Sequence, residues 1–309
     1  MSAVIEVSHL SKQFKDVKAV DDLSFKVYEG DVYGFLGQNG AGKSTTIRML
    51  LTLIEPTEGE IRIFGKNLRT HRKEILTNIG AIIEKTDLYK YLSAYDNLKF
   101  LANISGVKVP RKSLMELLAT VGLADRAHSK VKTFSQGMKQ RLGIAVALVH
   151  DPALIILDEP TNGLDPQGIA DIRNLILDLS KDHGKTILLS SHLLTEIELI
   201  ANRILIIDSG RKVVEGTSNQ LLDPAKTIVD IVTTDPVADR LKTSAGKWGM
   251  YLLEEINSLR FQLNKQQIPE LIQNMVAMDM QILSVQHRHS LENYFLSLTN
   301  PPHVETTSI

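Results

Sequence analysis

Cysteine is absent from the 309-residue chain, which excludes disulfide scaffolds, thiolate metal sites and thiol nucleophiles and makes a reducing compartment the expected setting. Long apolar runs are missing too. The longest, such as those over 153–157 and 204–207, fall far short of the roughly 20 residues that a bilayer-crossing helix needs. The start, Met1 and Ser2 followed soon by Glu6, has none of the apolar stretch of a secretory leader, so a chain without a membrane span is expected. Neither sign of charge dominates: 35 Lys and Arg stand against 36 Asp and Glu, a formal net charge of -1. That balance offers no basic footprint and no acidic tail, and nucleic acid is not an expected partner. Internal repeats and low-complexity tracts are absent as well.

What is present is an ordinary globular composition, 43% hydrophobic, of a length that suits one large domain or two unequal ones. The first 30 residues alternate short β-like runs (4–7 and 23–27) with polar breaks, which predicts an antiparallel edge sheet. From Val32 the pattern changes to apolar strands over 32–36, 154–157, 187–189 and 204–207 separated by helical stretches, predicting an α/β core with a parallel sheet. A helix-rich insertion, about 93–150, lies between the first two. It opens on a Ser93-x-x-Asp96 capping pattern. Past Asp223-Pro224 the predicted order is strand 227–232, helix 236–243, strand 250–255, strand 259–264, helix 268–277, strand 281–286. That β-α-β-β-α-β order matches a small α+β domain of ferredoxin-like type, with a predicted core of Val229, Ile231, Leu252, Leu259, Phe261, Leu271, Ile282 and Leu283. The expected domains are therefore 1–222 and 223–300, with a frayed tail over 301–309.

The chemistry is concentrated in two places. Immediately after the strand 32–36 stands Gly37-Gln38-Asn39-Gly40-Ala41-Gly42-Lys43-Ser44, a complete G-x-x-x-x-G-K-[ST] loop, with Thr45 leading into a helical run. Such a loop curls backbone N–H groups around phosphate oxygens and adds the positive end of a helix. Lys43 can reach the β- and γ-phosphates, and Ser44 can ligate Mg²⁺. The strand 154–157 runs into Asp158-Glu159, two carboxylates delivered by a parallel strand to a phosphate site. Asp158 suits the Mg²⁺ shell and Glu159 a general base acting on the attacking water. Each motif has a bland alternative: a glycine turn for the loop, a solvated strand end for the carboxylates.

Between them lies Phe134-Ser135-Gln136-Gly137-Met138-Lys139-Gln140-Arg141-Leu142. It resembles the signature motif of ATP-binding cassette (ABC) ATPases, usually Leu-Ser-Gly-Gly-Gln, with Phe134, Gln136 and Met138 as departures. Ser135 would cap a helix whose N-terminus and Gly137 backbone face a γ-phosphate. Gly163-Leu164-Asp165-Pro166 resembles the D-loop, His192 in Ser190-Ser191-His192 the switch histidine, and Phe14 the aromatic that stacks on adenine. The matches follow family order from Ile5 to about Leu222. Where the family carries a Q-loop glutamine, Glu84 follows the segment 79–83. A carboxylate remains an oxygen ligand for Mg²⁺ but cannot donate a hydrogen bond to water. Glu84 and the Ser-x-Gly-Met-Lys-Gln-Arg signature resemble the bacitracin- and lantibiotic-type subfamily, which exports peptide antibiotics or confers immunity to them.

The resemblance implies a P-loop NTPase fold and the nucleotide-binding subunit of a bacterial ABC transporter, hydrolysing ATP with Mg²⁺ at the cytoplasmic face of the cell membrane. It implies a separate membrane permease and a head-to-tail dimer with a second copy or a homologous ATPase. In that dimer Phe14, residues 37–45, Asp158, Glu159 and His192 of one subunit face Ser135, Gln136 and Gly137 of the other, with Leu164 and Asp165 at the junction. Tyr89, Tyr91 and Tyr95 fall where the family docks its permease helix. The rival reading is a soluble, nucleotide-controlled ABC regulator uncoupled from transport; such proteins carry paired cassettes or a long coiled-coil insertion, and this sequence has neither.

Overall fold

The computed structural model describes residues 2–84, 87–221, 227–253 and 258–288, with 287 and 288 described by their backbone only. The chain divides into two compact units, Met1–Thr217 and Ser218–Ile309. The boundary expected at 222/223 and the tail 301–309 lie outside the described residues.

In the first unit, β1 (Ala3–Phe14) and β2 (Val17–Tyr28) form a long antiparallel pair. They are followed by β3 (Val32–Leu36), α1 (Lys43–Leu50), β4 (Glu58–Ile63) and β5 (Lys66–Asn67). The first sheet has the order β2-β1-β4-β5. Sequence patterning announced β1 and β2 but not β4 and β5, whose run of charged residues hides a strand with one buried face (Ile61 and Ile63). Next come α2 (Arg72–Leu76), β6 (Ile79–Ile82), the helical insertion α3 (Ala94–Ile104), α4 (Arg111–Thr120) and α5 (Gln136–Leu148), then β7 (Leu154–Asp158) and α6 (Pro166–Lys181). The unit closes with β8 (Thr186–Ser191), α7 (Leu194–Glu198), β9 (Arg203–Asp208) and β10 (Arg211–Thr217).

The second sheet runs β10-β9-β3-β8-β7-β6, parallel throughout except for the β9-β10 hairpin. Every residue of β3, β7 and β8 is buried, as expected for central strands covered on both faces. A core of the first unit fills the space between the two sheets. Phe25 of β2 lies 5.8 Å from both Tyr33 and Phe35 of β3, ring to ring, and Ile5, Leu10, Leu23, Ile63, Ile156, Leu188 and Leu205 surround them. Full burial of each such side chain contributes about 1.5–3 kcal/mol. This packing makes the strand ends of the parallel sheet a fixed platform.

The insertion has the expected helices. Ser93 caps α3, its Oγ accepting from Asp96 N–H at 3.0 Å and donating to Asp96 Oδ2 at 2.5 Å. That pairing replaces the reciprocal contact of a full capping box, in which the carboxylate would accept from the Ser93 backbone.

The second unit contains α8 (Ser218–Leu221), β11 (Thr227–Thr233), α9 (Pro236–Ser244), β12 (Leu252–Leu253), β13 (Leu259–Leu263), α10 (Ile268–Ala277) and β14 (Ile282–Arg288). The sheet order β12-β13-β11-β14, antiparallel at every pairing, is the ferredoxin-like arrangement expected from the element order. Its core holds Val229, Ile231, Trp248, Leu259, Phe261, Leu263, Leu271, Met275 and Met280. Two expectations are corrected here. The strand predicted over 250–255 is a tight turn at Gly249–Tyr251 followed by only Leu252–Leu253, with 254–257 outside the described residues. Leu283 is 68% exposed rather than core, because the β11–β14 register skips it between the pairs Val232↔Ser284 and Thr233↔Ile282.

Candidate active site

The three buried strands β3, β8 and β7 lie side by side in parallel, so their C-terminal ends deliver their next residues to one place. Register makes this concrete: Phe35 pairs with Ser190, and Ser190 with Asp158. Beyond them follow the 37–44 loop, His192 and Glu159.

The loop is shaped by glycines with definite reasons. Gly42, at the N-cap of α1, has φ 104°, and a Cβ there would stand 2.5 Å from the Ala19 carbonyl oxygen. At Gly37 a Cβ would stand 2.6 Å from the Ile207 carbonyl oxygen. The loop backbone is thus wedged between β2 and the end of β9, while Gln38, Asn39 and Gly40 stay exposed at its tip. Ser44 and Thr45 sit half-buried in the first turn of α1.

Lys43 is only 5% exposed, and a buried ammonium needs partners. Its Nζ donates to the carbonyls of Gly37 at 2.7 Å and Gln38 at 3.2 Å and lies 3.3 Å from Glu159 Oε1. The other Glu159 oxygen, Oε2, is 2.7 Å from His192 Nδ1. Since an ionised carboxylate only accepts, the proton of that bond sits on Nδ1. Glu159 has φ 49°, the left-handed region that costs a non-glycine residue energy and recurs at functional sites. Its N–H donates to Ser190 Oγ at 2.9 Å, and Ser190 Oγ donates to Asp158 Oδ1 at 2.5 Å. Asp158 and Ser190 are 1% and 0% exposed.

Lys43, Asp158, Glu159 and His192 therefore form one connected group, as the motifs predict. Among the described residues no three His, Cys, Asp or Glu side chains converge as a metal cluster. The donors beside the loop, the Ser44 hydroxyl and the buried Asp158 carboxylate, are hard oxygens of the kind Mg²⁺ takes when phosphates and water complete its shell. They fit such an ion.

Other predicted residues lie apart from this group. Glu84 is exposed and ion-paired with Arg48, in the last turn of α1. Phe14 is 44% exposed at the end of β1, its ring 4.9 Å from Lys12 Nζ. Ser135 caps α5, accepting from Met138 N–H at 3.2 Å, and Ser135 and Gln136 are exposed while Gly137 is half-buried. Asp165 caps α6, accepting from Gly168 N–H at 3.2 Å ahead of Pro166 at the first helical position; Leu164 beside it is half-buried. Tyr89 and Tyr91 are exposed at 48% and 79%, and the half-buried Tyr95 lies with its ring 5.9 Å from that of His128, tilted by 47°. Sequence reasoning missed Ser190. The available signal was its place at the end of the apolar strand that leads into His192.

The family model described as ABC transporter matches residues 20–162. An uncharacterised ABC transporter ATP-binding protein of Bacillus subtilis, YhcH, is 39% identical over 303 residues, 97% of each chain. The bacitracin transport ATP-binding protein BcrA of Bacillus licheniformis is 51% identical over 211 residues, 68% of this chain and 69% of that one. Among solved structures, an ATP-binding cassette captured as a dimer in a post-hydrolysis state with ADP and Pi superposes with a TM-score of 0.61 at 25% identity, covering 69% of this chain and 98% of the other.

Proposed function

The chain belongs to the ABC transporter ATP-binding proteins, and from that premise we propose how its residues hydrolyse ATP and what the hydrolysis drives. As a member of that family it is an ATPase subunit of a transporter. The observation that carries the residue assignment is the convergence of Lys43, Asp158, Glu159 and His192 at the ends of three adjacent parallel strands.

The 37–45 backbone holds the phosphates, and Lys43 leaves the Gly37 and Gln38 carbonyls for the β- and γ-phosphate oxygens. That movement frees Glu159 Oε1 to accept a proton from the attacking water, while His192 Nδ1–H keeps Oε2 and so fixes the carboxylate plane. Ser44 and Asp158 would hold Mg²⁺, which when bound neutralises charge on the phosphate oxygens. Glu84, held by Arg48 here, would reach that shell on breaking its ion pair. Phe14, exposed at a strand end, would stack on adenine. Ser135, Gln136 and Gly137 would meet the γ-phosphate of a second copy across a head-to-tail dimer, with Leu164 and Asp165 at the junction; that the similar cassette is dimeric supports a dimer.

No helix among the described residues is long and apolar enough to cross a membrane. A separate permease would therefore carry the substrate, with this chain at the cytoplasmic face docked through the exposed Tyr89 and Tyr91 region. The relative named for bacitracin transport supports export of, or immunity to, a peptide antibiotic. Phosphate release from Mg-ATP tests the residue assignment: turnover that survives loss of Glu159 removes it. Co-expression with its permease in a bacitracin-sensitive host tests the substrate class. Unchanged tolerance to bacitracin and lantibiotics would overturn that class.

A further inference from the structure

Among the described residues, Ser190 is the one fully buried polar side chain that touches both carboxylate-bearing residues of the site, and no motif assigns it a role. A serine hydroxyl has one proton to give and lone pairs to receive. Here the proton goes to Asp158 Oδ1 at 2.5 Å, and the oxygen accepts the Glu159 N–H at 2.9 Å. Both bonds follow from register, since Ser190 is the β8 partner of Asp158 in β7, one strand pairing before the chain turns out into Glu159.

We propose that Ser190 is a positioning residue, fixing the Asp158 carboxylate toward the metal and holding the Glu159 backbone in its left-handed turn. The proposal rests on the ATP-hydrolysing reading of this site. Two physical consequences give it content. A carboxylate with one oxygen engaged by a buried donor cannot rotate freely, so the other oxygen is presented in one direction. Glu159, at φ 49°, would otherwise drift toward the β or right-handed region and carry its carboxylate away from Lys43 and His192. Alanine, with a hydrogen in place of the hydroxyl, removes both restraints together with little change in volume.

The test uses the full chain with Ser190→Ala and Ser190→Thr, the second restoring a hydroxyl. Turnover of ATP is measured beside binding of a fluorescent ATP analogue with and without Mg²⁺. For Ser190→Ala the proposal expects kcat to fall on the order of 10²-fold, the scale of a misplaced reacting group, with KM for Mg-ATP rising by the lost Mg²⁺ gain. Mg-free binding should stay parental while the gain in affinity on adding Mg²⁺ is lost, and Ser190→Thr should recover turnover and that gain. Parental kcat and a parental Mg²⁺ gain in Ser190→Ala would overturn the proposal. So would a loss that appears equally in Mg-free binding and in the melting temperature, since that is the mark of a packing role. A parent chain without turnover would overturn the hydrolytic reading instead, and the Mg²⁺ gain would still decide the role of Ser190.

Discussion

At the scale of single residues, Glu159 carries the most constraint. Its backbone occupies the left-handed region, its N–H is held by Ser190, and its two carboxylate oxygens are divided between Lys43 and His192. Replacing the carboxylate by an amide keeps the shape and removes the proton acceptor. Glu159→Gln is expected to retain nucleotide binding while turnover falls about 10²-fold or more, the usual scale for a lost general base, as phosphate release will show. Lys43 has the opposite role, since its charge is the group that phosphates would draw from the loop carbonyls. Lys43→Ala is expected to weaken ATP binding about 10- to 100-fold, the equivalent of one or two lost charge-assisted hydrogen bonds. Equilibrium titration with nucleotide checks it, and parental affinity would remove Lys43 from the site.

At the scale of elements, the site depends on β3 being clamped between β8 and β9, with β10 closing the edge. A polar tie reinforces that edge: Tyr33 of β3, wholly buried, donates its hydroxyl to Glu215 Oε1 of β10 at 2.9 Å. Burial first, then the adjacent Glu215 charge, pushes the Tyr33 phenol well above its ordinary value near 10. The neutral phenol is therefore favoured by the folded state. Its contribution is fully present below the unfolded value, about 10, and is lost as pH rises through the higher folded value. Thermal melts of the parent are expected to fall off above about pH 10, and Tyr33→Phe to melt lower at neutral pH but with a shallower alkaline decline. Identical alkaline slopes would show that this tie does not govern the edge. A second tie, from the α5 guanidinium of Arg141 to the Val121 and Gly122 carbonyls at 3.4 and 3.2 Å, holds the signature helix against the end of α4.

At the scale of the molecule, each unit has a core of its own among the described residues: in the first, residues between Val4 and Ile207, and in the second, residues between Val229 and Met280. Every motif of the site belongs to the first unit. A chain ending at Thr217 is expected to remain soluble and bind ATP with parental affinity, whereas aggregation or lost binding would show that the second unit completes the ATPase core. The single tryptophan gives a matching probe. Trp248 is buried in the second core, 4.7 Å from Lys247 Nζ and 6.0 Å from the Tyr251 ring, so its fluorescence should follow unfolding of that unit alone. A fluorescence transition displaced from that of the parallel sheet by circular dichroism would agree with this.

The linear chain by itself determined what depends on neighbours in sequence. The glycine spacing of 37–44, the apolar strands ending in Asp158 and in Ser191, and the helix caps Ser93 and Ser135 act over a few residues, so composition and period disclose them. The order of elements also disclosed the ferredoxin-like unit, because each strand and helix there has its own period. What only the tertiary structure decided depends on strand register and on partners distant in sequence. Ser190 acquired its place because β8 pairs with β7 at a particular offset, and Glu84 was drawn to Arg48 by proximity across 36 residues. β4, β5 and β10 are strands because partners supply their hydrogen bonds, their own sequences being too polar or too short to announce them. Leu283 lost its place in the core to one skipped pairing, since a side-chain period of two turns a single-residue shift into a change of face.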